Sequence, residues 1–348
     1  MTLRGFYILI LATILAVGGA VGVLYQRNAA AIGVIDSEPV FPGLTDRLND
    51  VAKVTISAEG ETSTLVKQGE GWVVAESHDY PAKGEAVRAL LLALADLRTM
   101  EAKTSRPEMF ARLGVDSEVD APGAEKSTAT LISLEAAGGG KIAEILVGKK
   151  RYGRGGQADA HYVRLPDANQ VWLAESRLDP RAEPIDWVDR LIADIDRGAV
   201  RQVTIASAEG APLVIGKDSA EATDFVIRDM PDGAEIENQF QLNATAGTMD
   251  QLVFDAVRPA EGLDFGGAGT RYETFDGLVV EVDFADADGK PWTRYRASTL
   301  PDASEAAKSA AAAINQRTQG WAYALTDFKI EQLRRRLDQL LKQKKDAS

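Results

Sequence analysis

VAKVTISAEG (Val51–Gly60) and VRQVTIASAEG (Val200–Gly210) begin 149 residues apart and spell nearly the same phrase. Val51, Val54, Thr55 and Ile56 fall on Val200, Val203, Thr204 and Ile205, and Glu59-Gly60 falls on Glu209-Gly210 with one residue inserted. Each phrase reads as a strand running into a turn, because β-branched residues dominate it and a glycine closes it. The segments just downstream are also alike. TSTLVKQGEGWVVAES (Thr62–Ser77) and APLVIGKDSAEATDFVIRD (Ala211–Asp229) both read as hairpins, with Trp72-Val73-Val74 and Phe225-Val226-Ile227 in the same place.

A helix is expected next in each copy. Val87, Leu90, Leu91, Leu94 and Leu97 keep the spacing of one buried helical face. Met249, Leu252, Val253 and Ala256 do the same in the second copy, with Asn243 as N-cap and Pro259 as stop. Further strands are expected over residues 127–136, 141–150, 160–166 and 169–176 in the first copy, and over 276–286, 290–298 and 320–327 in the second. An alanine-rich helix over 301–319 interrupts the second series. The expected fold class is α+β, an N-terminal transmembrane helix followed by two tandem, related modules of mostly antiparallel sheet with packed helices. The expected boundaries are an anchor over 1–27, a linker over 28–49 and a first module over 50–182. A connecting helix over 183–198 comes next, then a second module over 199–326 and a basic helix over 327–348. The connecting helix is read from Trp187, Leu191 and Ile195, which recur every four residues.

The anchor is read from Phe6–Tyr25, 20 residues without a charge. As a helix they rise about 30 Å, one hydrocarbon thickness. A cleaved signal peptide ending near Asn28–Ile32 is the competing reading, but the run exceeds the usual apolar core of about 7–15 residues. Either way the body is expected outside the cytoplasm, as the periplasmic part of a single-pass bacterial inner-membrane protein.

The 348 residues suffice for two domains, and 45% hydrophobic with 26% charged residues is the balance of a folded chain. A net charge of −13 argues against nucleic acid as a partner. With no cysteine, disulfides, thiolate metal sites and cysteine nucleophiles are excluded. His78 and His161 are the two histidines, in non-equivalent places, and no HExxH pattern occurs. Gly148–Tyr162 is rich in glycine and basic residues, but it lacks the Lys-Ser/Thr end and the strand–helix flanks of a P-loop. DFADADG (Asp283–Gly289) breaks the calcium-loop spacing and reads as a hairpin turn. No cofactor, no catalytic residue and no enzymatic role is expected.

The C-terminal stretch is the most individual. Ile330, Leu333, Leu337 and Leu340 form a short heptad seam, and residues 327–348 hold seven Lys or Arg against four acids. Arg334, Arg335, Arg336, Lys342, Lys344 and Lys345 are the expected contacts for a partner protein or anionic lipid head groups.

Several segments together resemble the DUF4340 family. They are VFPGL (Val40–Leu44), LNDVAKVTI (Leu48–Ile56), GWVV (Gly71–Val74), YPAKGEAVRALLLALADL (Tyr80–Leu97) and MFARLGVD (Met109–Asp116). ILVGKK (Ile145–Lys150), HYVRLPDANQVWL (His161–Leu173), WVDRLIADI (Trp187–Ile195) and GWAYALTDFKIEQLRRRLDQLL (Gly320–Leu341) complete the set. The resemblance implies a membrane-anchored protein often encoded beside ABC transporters of the gliding-motility type, hence a scaffolding accessory with transporter subunits as partners. It supplies no functional residues. The alternative is a cell-envelope enzyme or carbohydrate-binding protein with its site in the cleft between the modules.

Overall fold

A computed structural model describes residues 37–117, 128–153, 158–206, 211–266 and 268–342. By internal contacts the chain divides into two compact units: one holds the chain up to Thr62 together with Glu85–Ala182, the other Ser63–Gly84 with Glu183–Ser348.

The first sheet is built from β1 (Val51–Ala58), β2 (Glu61–Gln68), β3 (Gly71–Val74), β4 (Tyr80–Pro81), β5 (Arg98–Thr104), β6 (Thr130–Ala136), β7 (Lys141–Arg151), β8 (Ala160–Arg164) and β9 (Val171–Glu175). Its order is β4-β3-β2-β1-β6-β7-β8-β9-β5. A helix, α1 (Gly84–Ala95), precedes β5. It buries Val87, Leu90, Leu91 and Leu94, the face its spacing predicts, and Leu97 is buried just beyond its end. Glu59 and Gly60, between β1 and β2, both have positive φ (53° and 92°). That is the backbone a two-residue hairpin turn of type I′ demands.

The second sheet comprises β11 (Val200–Ile205), β12 (Leu213–Gly216), β13 (Val226–Ile227), β15 (Ala256–Pro259), β16 (Thr270–Thr274), β17 (Leu278–Ala287), β18 (Lys290–Thr299) and β19 (Trp321–Ala324). Its order is β13-β12-β11-β16-β17-β18-β19-β15. With β4 set aside, every neighbour relation of the first sheet recurs here with the strand number raised by ten. A separate pair joins β10 (Leu191–Ala193) to β14 (Leu252–Val253).

The repeated phrase explains its own spacing. Val51, Val54 and Ile56 are buried in β1, and Val200, Val203 and Ile205 in β11. Strict alternation would put residues three apart on opposite faces. The register of β1 on β6 slips between Val51 and Lys53, and that of β11 on β16 slips between Val200 and Gln202. One extra residue at the same place in both strands returns the first valine to the inner face.

In the second unit, α2 (Gln239–Ala246) is capped by Asn238, whose side chain accepts from the Phe240 amide at 2.9 Å. The alanine-rich stretch forms α3 (Glu305–Thr318), capped by Ser304 and buried along Ala307, Ala311 and Ile314. Asn315 ties α3 to β18, accepting from the Ala297 amide and donating to the Ala297 carbonyl, both at 2.8 Å. Tyr80 packs edge-on against Phe254 and Trp321, with centroids 5.6 and 4.8 Å away.

Four expectations are corrected. Residues 183–198 are not a helix: a 3-10 turn at Pro184–Trp187 leads into β10. Asp189 accepts from the Leu191 amide at 3.1 Å and Asp196 from the Gly198 amide at 2.6 Å, side-chain bonds that compete with a helical ladder. The second-copy helix lies earlier than expected, since the chain turns at Gly247–Asp250 and Gln251 takes φ 46°. Leu252–Val253 and Ala256–Pro259 are therefore strands, and Asn243 sits inside α2 rather than capping it.

Third, the basic helix stops at α4 (Asp327–Leu333), followed by a 3-10 turn at Leu337–Gln339. Fourth, among the described residues no helix is long and apolar enough to cross a membrane, and the expected span Phe6–Tyr25 lies outside them. Membrane partnership and inner-membrane placement with a periplasmic body rested on that span, and the membrane-anchored transporter-accessory role combined it with the family resemblance. The envelope-enzyme and carbohydrate-binding alternative took its site from a cleft between the modules and its envelope placement from the same span. All are corrected to an α+β chain with two sheet-rich regions.

Candidate functional site

Where α4 ends, three consecutive arginines begin, and a helix can no longer spread them over one solvent face. Arg334 lies over the Phe284 ring, 4.5 Å from its centroid, and reaches Asp286 on β17 at 3.5 Å. Arg335 turns inward and is 6% exposed. Its Nη1 is 3.4 Å from Glu331, one helical turn back, while its Nε has no hydrogen-bond partner among the described residues. Arg336 grips Asp338 through Nε and Nη2 at 3.0 and 3.1 Å, which holds that carboxyl below its ordinary range.

These arginines line two cavities. One, of about 630 Å³, has Ile205, Ala206, Ala211, Leu213, Leu337 and Leu341 as its apolar wall, with Asp338 and the three arginines completing its described lining. The other, of about 380 Å³, shares Ile205, Ala206, Arg334 and Arg336 and adds Asp264, Thr270, Phe284 and Asp286. The larger cavity falls within the size range of small-molecule pockets.

The remaining residues expected as partner contacts part company here. Lys342 pairs with Glu235 at 2.6 Å, which raises the lysine and lowers the carboxyl. Its backbone amide donates to the Glu235 carbonyl, and Leu341 bridges to Ile236. Lys344 and Lys345 lie outside the described residues. So the triplet Arg334–Arg336 and Lys342 act in short-range pairs rather than as one basic helical face.

The other polar candidates have structural employment. His78 follows a 3-10 turn with φ 58°. His161, on β8, is buried, its Nδ1 unpartnered among the described residues, and burial lowers its affinity for a proton. Lys149 donates to the Arg112 carbonyl at 2.9 Å and Lys150 pairs with Asp159 at 2.8 Å, so these two cations of the glycine-rich stretch are engaged within the fold, while Arg154 lies outside the described residues. Asp283 takes Arg294 at 2.9 Å and Arg296 at 3.1 Å, and Asp288-Gly289 form a hairpin turn with both φ positive. No group of three His, Cys, Asp or Glu side chains that could hold a metal occurs among the described residues.

A second groove, about 660 Å³, opens beside α2 and α4, with the exposed rings of Phe240 and Phe328 among its lining. Beneath it Lys217 is buried and donates to the carbonyls of Gly198, Ala220 and Ala222 at 2.9, 3.1 and 3.1 Å. Sequence reading missed both this groove and the burial of Arg335. The one local signal for the latter is Asp338 two residues past Arg336, which favours a tight turn over a continuing helix.

No curated protein and no solved structure matches the chain. A family model described as a domain of unknown function, DUF4340, matches residues 72–270, more than half of the chain, and ends before the arginine triplet. It spans the β3-to-β16 region, including the second copy of the repeated phrase. The chain therefore belongs to the DUF4340 family.

Proposed function

We propose that the protein is a binding protein for small organic anions, taken up in the cavity beside Arg334 and Arg336, and that it works by binding rather than by turnover. One observation carries this reading: three consecutive arginines, Arg334, Arg335 and Arg336, line one cavity of about 630 Å³ that also has an apolar wall. The side chains of Arg334 and Arg336 are exposed, so an anionic oxygen entering the cavity would accept charge-assisted bonds from them. The cavity's described lining offers acceptor-binding groups and apolar walls, with Asp338 already held by Arg336.

Calorimetric titration of the full chain with acetate, benzoate and inorganic phosphate tests the reading. Binding of at least one anion is expected, and Arg334→Met, which removes an exposed guanidinium from the cavity lining, is expected to weaken it by about tenfold or more. Absence of binding, or equal binding by the variant, refutes the assignment.

A further inference from the structure

We infer that the groove beside α2 and α4 is a second binding site, and that its ligand is a zwitterion on an apolar body, an α-amino acid with an aromatic side chain. This goes beyond the anion-binding reading and does not depend on it.

The groove differs from the arginine-lined cavity in the state of its charges. Its lining comes from 196–198, 217–223, 240–250 and 328–332, stretches described without a break. Three acids, Asp196, Glu221 and Asp250, face it with three cations, Arg197, Lys217 and Lys329. No two of these six form an ion pair among the described residues, whereas Arg334, Arg335 and Arg336 each face a carboxylate already. Lys217 is spent on three carbonyls. Lys329 donates to the Thr248 carbonyl at 3.0 Å, which leaves two of its three donors. Arg197 is exposed, and its guanidinium has no hydrogen-bond partner among the described residues. Its stem lies against Gly247 at the end of α2, where a Cβ would stand 3.3 Å from the arginine Cδ.

A ligand of one sign would meet as many like charges as opposite ones there. A zwitterion does not. Asp250 lies near enough to Lys329 for the two charges to interact, yet they do not form an ion pair. An amino acid near neutral pH carries its carboxylate and its ammonium on one carbon, so both poles sit close together. In the proposed complex the carboxylate accepts from Lys329 and Arg197, and the ammonium donates to Asp250.

The apolar part falls to two phenyl rings. Phe240, in the first turn of α2, is 73% exposed, and Phe328, in the first turn of α4, is 60% exposed. One exposed ring is ordinary, but two lining a single groove mark a contact surface. A volume of about 660 Å³ lies within the range of small-molecule sites.

Calorimetric titration of the full chain with L-phenylalanine, phenethylamine, 3-phenylpropionate and glycine tests each part. Phenylalanine is expected to bind about tenfold or more tighter than the other three, which lack the carboxylate, the ammonium and the ring in turn. Arg197→Met removes an exposed guanidinium without breaking a bond of the fold and is expected to weaken phenylalanine by about tenfold. Phe240→Ser combined with Phe328→Ser, both at exposed positions, is expected to bring phenylalanine down to the level of glycine. Circular dichroism checks that each variant is folded. Phenethylamine or glycine binding as tightly as phenylalanine overturns the inference, and so does phenylalanine binding that Arg197→Met leaves unchanged. 3-Phenylpropionate binding as tightly, and weakened by Arg197→Met, overturns it as well. If Arg334→Met weakens that binding instead, it belongs to the arginine-lined cavity and the zwitterion inference stands. If phenylalanine does not bind, this inference falls while the anion-binding reading, tested with acetate, benzoate and phosphate, is untouched.

Discussion

The guanidinium of Arg164 lies over the ring of Phe110, 4.3 Å from its centroid, and is almost wholly buried. Its Nε donates to the Val115 carbonyl at 3.0 Å, and Nη1 donates to those of Pro166 and Ala168 at 3.3 and 3.1 Å. The second unit has a comparable arrangement, with Lys217 donating to three carbonyls and its Nζ 5.3 Å from the Phe225 centroid. In both places a cation closes a loop by collecting carbonyls that no ladder satisfies. An aromatic face stands beside each cation.

Arg164→Met removes these donors while keeping much of the stem. Three carbonyls then face an apolar group, and the fold is expected to lose about 2–4 kcal/mol. Urea denaturation followed by tryptophan fluorescence measures it, as a lower midpoint at unchanged slope. A loss under about 0.5 kcal/mol, the size of an ordinary surface substitution, contradicts the structural role assigned to this arginine.

Gly148, within β7, has no room for a side chain. A Cβ there would stand 2.4 Å from the Leu113 carbonyl oxygen and 2.7 Å from that of Gly114. Both are backbone atoms that cannot swing aside, so Gly148→Ala is expected to cost about 1–3 kcal/mol. The loss should appear in thermal unfolding. Gly138→Ala, a position with nothing within 4 Å, serves as the control and should change little.

His161 gives a pH dependence whose sign follows from its burial. Desolvation, then nearby Lys150, lowers its pKa from the ordinary 6.5, while Asp159 and Asp179 oppose the shift. As pH falls below about 6.5 the unfolded chain takes up a proton that the folded chain refuses. Stability is therefore lost from that point down to the depressed folded value, and nothing is lost above it. Unfolding free energies of the protein and of His161→Gln, compared from about pH 7.5 to 5, should diverge below the ordinary histidine value, with the native chain falling faster. Parallel curves would show that the imidazole is not held neutral by its surroundings.

Elements set by near neighbours are legible in the sequence, and those set by distant partners are not. Val54 and Ile56, like Val203 and Ile205, are placed inside by alternation alone, which is a local property of extended backbone. The buried face of α1 is legible for the same reason, since its signal lies within a turn or two of each residue concerned. Met249–Pro259 is not. Its apolar spacing suits a helix, and only the partner strands β10 and β19, brought from distant parts of the chain, decide that it is extended.

The candidate site divides along the same line. Sequence singles out Arg334, Arg335 and Arg336 by charge, but it lays them on a solvated helix. Across the described chain, the sequence by itself determined the strand phrase, its repetition and the absence of thiol chemistry. Each depends only on which residues are present and how neighbours alternate. Tertiary structure alone decided that α4 ends at Leu333, that Asp286 and Glu331 meet the first two arginines, and that Arg335 turns inward beside an apolar wall. Burial of a charge depends on what the rest of the chain sets around it, and no local pattern encodes that.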